Sequence, residues 1–149
     1  NVSARTQFPE NAVPLFAPRL LDGKPVPLYG DGRNVRDWLH VSDHCRCIDL
    51  VLHGGRAGEV YHIGGGAELT NHKLTGLLLD ALGADWDRVE HVPDRKGHDL
   101  RYSLDDSKIR EELGYAPQTP FAQGLADTVA WYRAPRSWWE PLQERTAPR

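Results

Sequence analysis

The sequence predicts a small mixed α/β domain, and three observations predict it. Short runs of strand-forming residues recur between glycine and proline breaks. The stretches between them carry capping residues at their starts and glycine at their ends, as helices do. No steady strand–helix alternation, internal repeat or low-complexity segment runs through the chain, so a complete doubly wound sheet is not expected. A chain of 149 residues fits one domain, and 40% hydrophobic residues with five tryptophans can fill a core. The net charge of −3 gives no global pull towards nucleic acid or a membrane surface, so any anion site has to be local.

In chain order, Pro9 to Leu21 has a helical apolar pattern at Val13, Leu15, Phe16, Leu20 and Leu21, with Pro14 tolerable near the first turn and Gly23 as a stop. Val26 to Tyr29 reads as a short strand and Val35 to Val41 as a second one. Ser42 is the expected N-cap of a helix to about Leu52, with Asp43 in its first turn and Gly54-Gly55 beyond its end. Glu59 to Ile63 is strand-like, and Gly64-Gly65-Gly66 is a turn. Thr70 caps a helix burying Leu74, Leu77, Leu78, Ala81 and Leu82, closed by Gly83. Val89 to Val92 is strand-like and stopped by Pro93. Asp105 caps a helix from Asp106 to Leu113, with Gly114 as stop, and Thr119-Pro120 opens the last long helix to Tyr132. Trp131, Trp138 and Trp139 read as packing anchors near a polar tail.

Two loops concentrate charge. Asp94-Arg95-Lys96-Gly97-His98-Asp99-Leu100-Arg101-Tyr102 holds three fixed cations around a glycine, and Tyr29-Gly30-Asp31-Gly32-Arg33-Asn34-Val35-Arg36-Asp37-Trp38 repeats the mix upstream. Arginine offers planar, bidentate donors to phosphate oxygens, and glycine lets backbone approach a ligand. The pair therefore reads either as a divided site for a charged, partly aromatic ligand or as solvated loops whose charges pair among themselves. Trp38 either packs under Arg36 or fills core.

Other patterns carry less. Gly64-Gly65-Gly66-Ala67-Glu68-Leu69 has Leu69 where a dinucleotide loop needs its third glycine, so it reads as a turn. Asn71 beside it is a polar first-turn residue that can also donate an amide to a ligand. His40 and His44 straddle a strand–helix junction, so a shared metal face is not expected, and no metal ligands are assigned. None of the five tyrosines has lysine four residues on, and no Gly-x-Ser-x-Gly elbow exists, so no catalytic residue is assigned. Cys45 and Cys47 point to different faces of one helix and fit a reduced, cytoplasmic setting without a membrane span. The chain has no methionine and opens on Asn1, which reads as a fragment or a processed chain.

Taken together, Tyr29-Gly30-Asp31-Gly32, Val35-Arg36-Asp37-Trp38-Leu39-His40-Val41, Asp43-His44, Tyr61-His62-Ile63-Gly64-Gly65-Gly66, Leu69-Thr70-Asn71 and the loop from Asp94 to Tyr102 resemble, in order and in register, the dTDP-glucose 4,6-dehydratase family of the extended short-chain dehydrogenase/reductase superfamily. The resemblance covers residues 1–142 as a small mixed α/β, nucleotide-sugar-binding C-terminal portion. By this resemblance the Rossmann half is expected to be absent, and residues 143–149 are expected to form a frayed polar tail.

The resemblance implies that Arg36 and Arg95 contact the diphosphate of a dTDP-sugar, with His98 and Asn71 nearby and Pro27, Leu28 and Tyr29 lining the nucleoside pocket. Asn1, Asn11, Asp94, Gly97, Asp99 and Tyr102 complete the implied substrate-binding set. At the start, Asn1 matches a substrate-contacting asparagine of the family, while a second asparagine, near NAD there, is Val2 here.

The implied reaction is an internal redox cycle. NAD takes hydride from the sugar's C4, water leaves across C5 and C6, and hydride returns to C6, giving dTDP-4-keto-6-deoxyglucose. NAD would be bound mainly by the missing half, no residue of this chain is assigned to the cofactor, and the full-length enzyme would be a homodimer. Rival readings are a fragment of a related NAD-dependent nucleotide-sugar epimerase or decarboxylase, and a non-catalytic dTDP-sugar-binding remnant.

Overall fold

The structure is a computed structural model, and it describes residues 2–3, 11–134, 137 and 139–141. Asn1, the segment 4–10, Trp138 and the tail lie outside the described residues. The elements run β1 (Val2–Ser3), α1 (Ala12–Leu21), β2 (Val26–Tyr29), β3 (Val35–His40), α2 (Val41–Gly54), β4 (Ala67–Thr70), α3 (Asn71–Leu82), β5 (Val89–Val92), β6 (Arg101–Tyr102), α4 (Ser107–Leu113) and α5 (Phe121–Arg133).

Strand β3 is the hub. It pairs in parallel with β6 through Val35 and Arg36 and with β1 through Leu39 and His40, while β4 runs antiparallel along its other edge. A separate two-stranded parallel sheet joins β2 to β5. The main core packs Val13, Phe16 and Ala17 of α1 against Leu74, Leu78 and Leu79 of α3, Val129 and Tyr132 of α5, and Trp38 of β3. A smaller core gathers Cys47, Ile109 and Tyr115, with Tyr61 and Ile63 packed against it.

Several expected boundaries move, each for a physical reason. Helix α1 begins at Ala12, which leaves Pro14 in its first turn, and it also carries Pro18 inside. Helix α2 is capped not by Ser42 but by His40, whose ring nitrogen accepts from the Ser42 backbone N–H at 3.4 Å. The strand-like run from Glu59 to Ile63 is not a strand. Among the described residues no neighbouring segment offers it a ladder, so Tyr61 and Ile63 turn into the small core and Val60 stays exposed. Helix α3 is rotated from the expected face and buries Leu74, Thr75, Leu78 and Leu79, with Leu77 at the margin. Asp105 does accept from the Ser107 N–H at 2.9 Å, yet the helix starts one residue later than expected, and Asp106 pairs with Arg110 at 2.7 Å. The cap expected of Thr70 and the stops at Gly83 and Gly114 are present, while Pro120, expected in the first turn of the last helix, precedes it at the N-cap position, with α5 starting at Phe121. Among the described residues no helix is long and apolar enough to cross a membrane.

Candidate functional site

The two charged loops meet because of strand pairing. Parallel β2–β5 contact sets Tyr29 opposite Val92, so the glycine turn after β2 and the loop after β5 leave the sheet side by side. Parallel β3–β6 contact then draws the far end of that loop against Val35 and Arg36, and the Val35 N–H donates to the Leu100 carbonyl at 2.7 Å. Gly97 lies at φ +72°, a backbone region that side chains with a Cβ avoid, and this folds the loop back so that His98 reaches Asp94.

A cleft of about 650 Å³, its open mouth included, lies between these loops and α1. Asn11, Pro27, Leu28, Tyr29, Arg36, Asn71, Arg95 and His98 all line it. So eight of the residues singled out in the sequence share one cavity. Arg36 and Arg95 converge on a single atom: their Nη2 groups lie 3.0 and 3.4 Å from His98 Nε2. The Arg95 guanidinium stacks 4.9 Å from the centre of the Tyr29 ring, and that ring meets His98 edge-on at 6.2 Å.

Arg36 is only 8% exposed. Its guanidinium donates to the Val35 carbonyl at 2.7 Å and the Asp99 carbonyl at 3.1 Å, and its carbon lies 4.4 Å from the Tyr102 ring centre. No carboxylate among the described residues pairs with it, and none pairs with Arg95. Those geometries leave the Nε–H and a second Nη1–H of Arg36 without a hydrogen-bond partner among the described residues. A buried cation without a counter-charge is costly, and an anionic ligand relieves that cost. Asn71 likewise lines the cleft with a carboxamide that makes no hydrogen bond to a described residue, while its backbone N–H and carbonyl are held by Asn34 and Thr75.

The remaining singled-out residues stand behind the cleft. Asp94 accepts from the Arg95 N–H at 2.8 Å and lies 2.6 Å from His98 Nδ1; the His98 contact is the main influence holding its carboxyl below the usual value, ahead of an opposing effect of burial. Asp99 reaches Arg36 through its backbone carbonyl, and its carboxylate accepts from the Tyr102 hydroxyl, so Tyr102 is the floor beneath Arg36. Asn1 lies outside the described residues. Trp38 does not underlie Arg36: it is a buried core residue that also lines the cleft, with its indole N–H unpartnered. It also lines a second cavity with Leu39, Phe121 and Leu125 that contains no arginine or lysine and so offers phosphate no counter-charge.

Sequence reasoning missed the cleft wall formed by Ala12, Leu15 and Phe16 of α1 and by Thr75 of α3. The one available signal was the apolar spacing of α1, which indicates a buried face without saying what that face meets.

The Gly64–Gly66 turn does not fit a dinucleotide loop. The N–H groups of Gly65 and Ala67 donate to the Asp37 carboxylate at 2.6 and 3.0 Å, which leaves neither for a phosphate. A Cβ on Gly65 would lie 2.0 Å from the Trp38 carbonyl oxygen, so that glycine serves close packing on β3. His40 is engaged as the α2 cap, and no group of three or more potential metal ligands occurs among the described residues.

The mixed α/β fold is that of the extended short-chain dehydrogenase/reductase superfamily, and the chain belongs to the family described as GDP-mannose 4,6 dehydratase, whose profile matches residues 1–128. Within it, the chain is 65% identical over 141 residues to a dTDP-glucose 4,6-dehydratase of Streptomyces antibioticus, covering 95% of this chain and 42% of that protein. A crystal structure of DesIV, the dTDP-glucose 4,6-dehydratase of Streptomyces venezuelae, with NAD and TYD bound, superimposes with a TM-score of 0.92 at 67% identity, covering 95% of this chain and 44% of that one. A UDP-glucose 4-epimerase of Thermotoga maritima, solved with UDP-glucose, matches with a TM-score of 0.81 at 36% identity, over 89% of this chain and 43% of that one. The chain thus spans about two fifths of the length of the curated relatives it matches.

Proposed function

We propose that this chain is the nucleotide-sugar-binding C-terminal portion of a dTDP-glucose 4,6-dehydratase and that its cleft holds the nucleoside diphosphate end of dTDP-glucose. The observation that carries the reading is Arg36, a nearly buried guanidinium with no carboxylate paired to it among the described residues, brought together with Arg95 in a cleft that also presents Pro27, Leu28 and Tyr29. The two guanidiniums match a pyrophosphate in charge and in planar hydrogen-bonding geometry. The Asn71 carboxamide supplies a further polar contact, and the apolar wall from β2 and α1 takes the base.

The chain's part in the dehydratase reaction is positional. Holding the nucleotide fixes the sugar at a defined distance from the reacting groups, so binding energy remote from the chemistry orients C4 to C6. NAD, which the Streptomyces venezuelae relative binds, supplies the transient acceptance and return of hydride when present. In this reading it is held by the part of the relatives' length that this chain does not span, and no step is assigned to it here. The reading carries with it a homodimeric whole enzyme and a cytoplasmic setting for the free thiols Cys45 and Cys47.

Calorimetry of the 149-residue chain with dTDP, UDP and thymidine tests the assignment. Saturable dTDP binding that weakens in both Arg36→Ala and Arg95→Ala is the expected result. Wild-type affinity in both variants refutes it. Tighter binding of UDP than of dTDP favours the epimerase-like alternative, whose solved relative carries UDP-glucose.

A further inference from the structure

The pair formed by His98 in the cleft and Asp94 behind it has a task that diphosphate binding does not itself explain. His98, with a side chain 9% exposed, is held between Asp94 on one ring nitrogen and two guanidiniums on the other. Guanidinium N–H groups only donate, so Nε2 has to accept, and the single proton of the neutral ring then sits on Nδ1 and is donated to the Asp94 carboxylate. The groups facing the ring come from three elements: Asp94 and Arg95 from its own loop, Arg36 from β3, and the Tyr29 edge from β2. Two like charges drawn to one atom repel each other, and a neutral acceptor between them offsets part of that repulsion.

We propose that Asp94 is a positioning residue that locks His98 in its Nδ1–H tautomer, so that Nε2 serves as the common acceptor that sets the spacing of Arg36 and Arg95. The carboxylate therefore touches no ligand; it acts through the imidazole on the two groups that do. The same logic orients metal-binding and catalytic histidines elsewhere, where a carboxylate on one ring nitrogen decides what the other can do. This inference rests on the diphosphate reading of the cleft, and its test is arranged to separate the two.

Long-range 15N–1H correlation spectra of the 149-residue chain, with the His98 resonances assigned from His98→Gln, report which ring nitrogen is protonated without any ligand. The wild type is expected to show a protonated Nδ1 and a bare Nε2. In Asp94→Asn the carboxamide can donate to Nδ1, the proton moves to Nε2, and dTDP affinity falls about tenfold as Nε2–H opposes the arginine donors. An Asp94 that merely stabilised the loop would lower stability without moving the proton. A wild-type ring protonated on Nε2, or an Asn variant with unchanged tautomer and affinity, overturns the proposal. If the Asn variant does not fold, the wild-type spectrum decides alone: a bare Nε2 supports the lock and a protonated one sinks it. Absence of dTDP binding in the wild type, together with the expected tautomer, refutes the diphosphate reading and leaves the lock standing.

Discussion

Asp43 and Arg36 are buried charges on consecutive elements, and the fold treats them in opposite ways. Asp43, at the head of α2 and 0% exposed, accepts from the backbone N–H groups of Gln118 and Thr119 at 3.1 and 2.9 Å and pairs with Arg46 at 2.8 Å. Burial alone would raise its carboxyl; the Thr119 and Gln118 donors and Arg46 outweigh it, and the net shift is downward. Arg36 is nearly as deep, but it is met by carbonyls, an imidazole and an aromatic ring, with no carboxylate paired to it among the described residues. The first arrangement pins the loop before α5 to α2 and is complete as it stands. In the proposed reading the second is completed by an anion, and that difference separates a structural charge from a binding one.

The comparison can be broken at either end. The largest effect is expected at Asp43. Asp43→Ala leaves two loop N–H groups without their acceptor and takes the carboxylate from Arg46, which keeps its bond to the Ala116 carbonyl; it should cost about 2–4 kcal/mol in urea denaturation, with dTDP affinity of the folded protein unchanged. The acid limb sharpens this. Because the folded carboxyl lies below its unfolded value, its contribution is fully present above the unfolded value near about pH 4 and is lost as pH falls through the folded one. Wild-type stability should therefore drop more steeply on acidification than that of Asp43→Asn.

Arg36→Met, which keeps the stem volume, should invert the pattern. It is expected to lose about 1.5–3 kcal/mol of dTDP binding in calorimetry, while its melting temperature holds or rises because an unbalanced cation has gone. Equal stability losses at Arg36 and Asp43 would erase the distinction. Tyr115 tests the paired side more gently. Its buried hydroxyl donates to the Gly64 carbonyl at 2.8 Å, and burial foremost pushes its pKa up to about 12. Tyr115→Phe should cost about 1 kcal/mol of stability without touching binding. Arg95→Ala comes last: this arginine is exposed, so its dTDP penalty should be smaller than that of Arg36, about 1 kcal/mol.

Much of this contrast was legible before the fold. The two arginine loops stood out by composition, and the family resemblance joined them to Pro27, Leu28, Tyr29, Asn71 and His98, which do share one cleft. What stayed hidden depends on neighbours. Glu59 to Ile63 has strand chemistry, but a strand exists only where another segment offers a ladder, and pattern alone cannot supply one. His40 caps α2 because β3 delivers it to that corner, whereas Ser42 and Asp43 carry the local capping signal. The α1 wall of the cleft and Thr75 of α3 follow from how helices pack, which hydrophobic spacing narrows but does not fix.

The bond between Arg36 and His98 joins groups separated by 62 positions along the chain. Closing so long a loop costs entropy before any local reward arrives, whereas α3 and α5 can form from neighbouring residues. On dilution from denaturant, far-UV ellipticity should therefore return early and nucleotide capture late, so that for an interval the refolding chain is helical yet blind to its ligand.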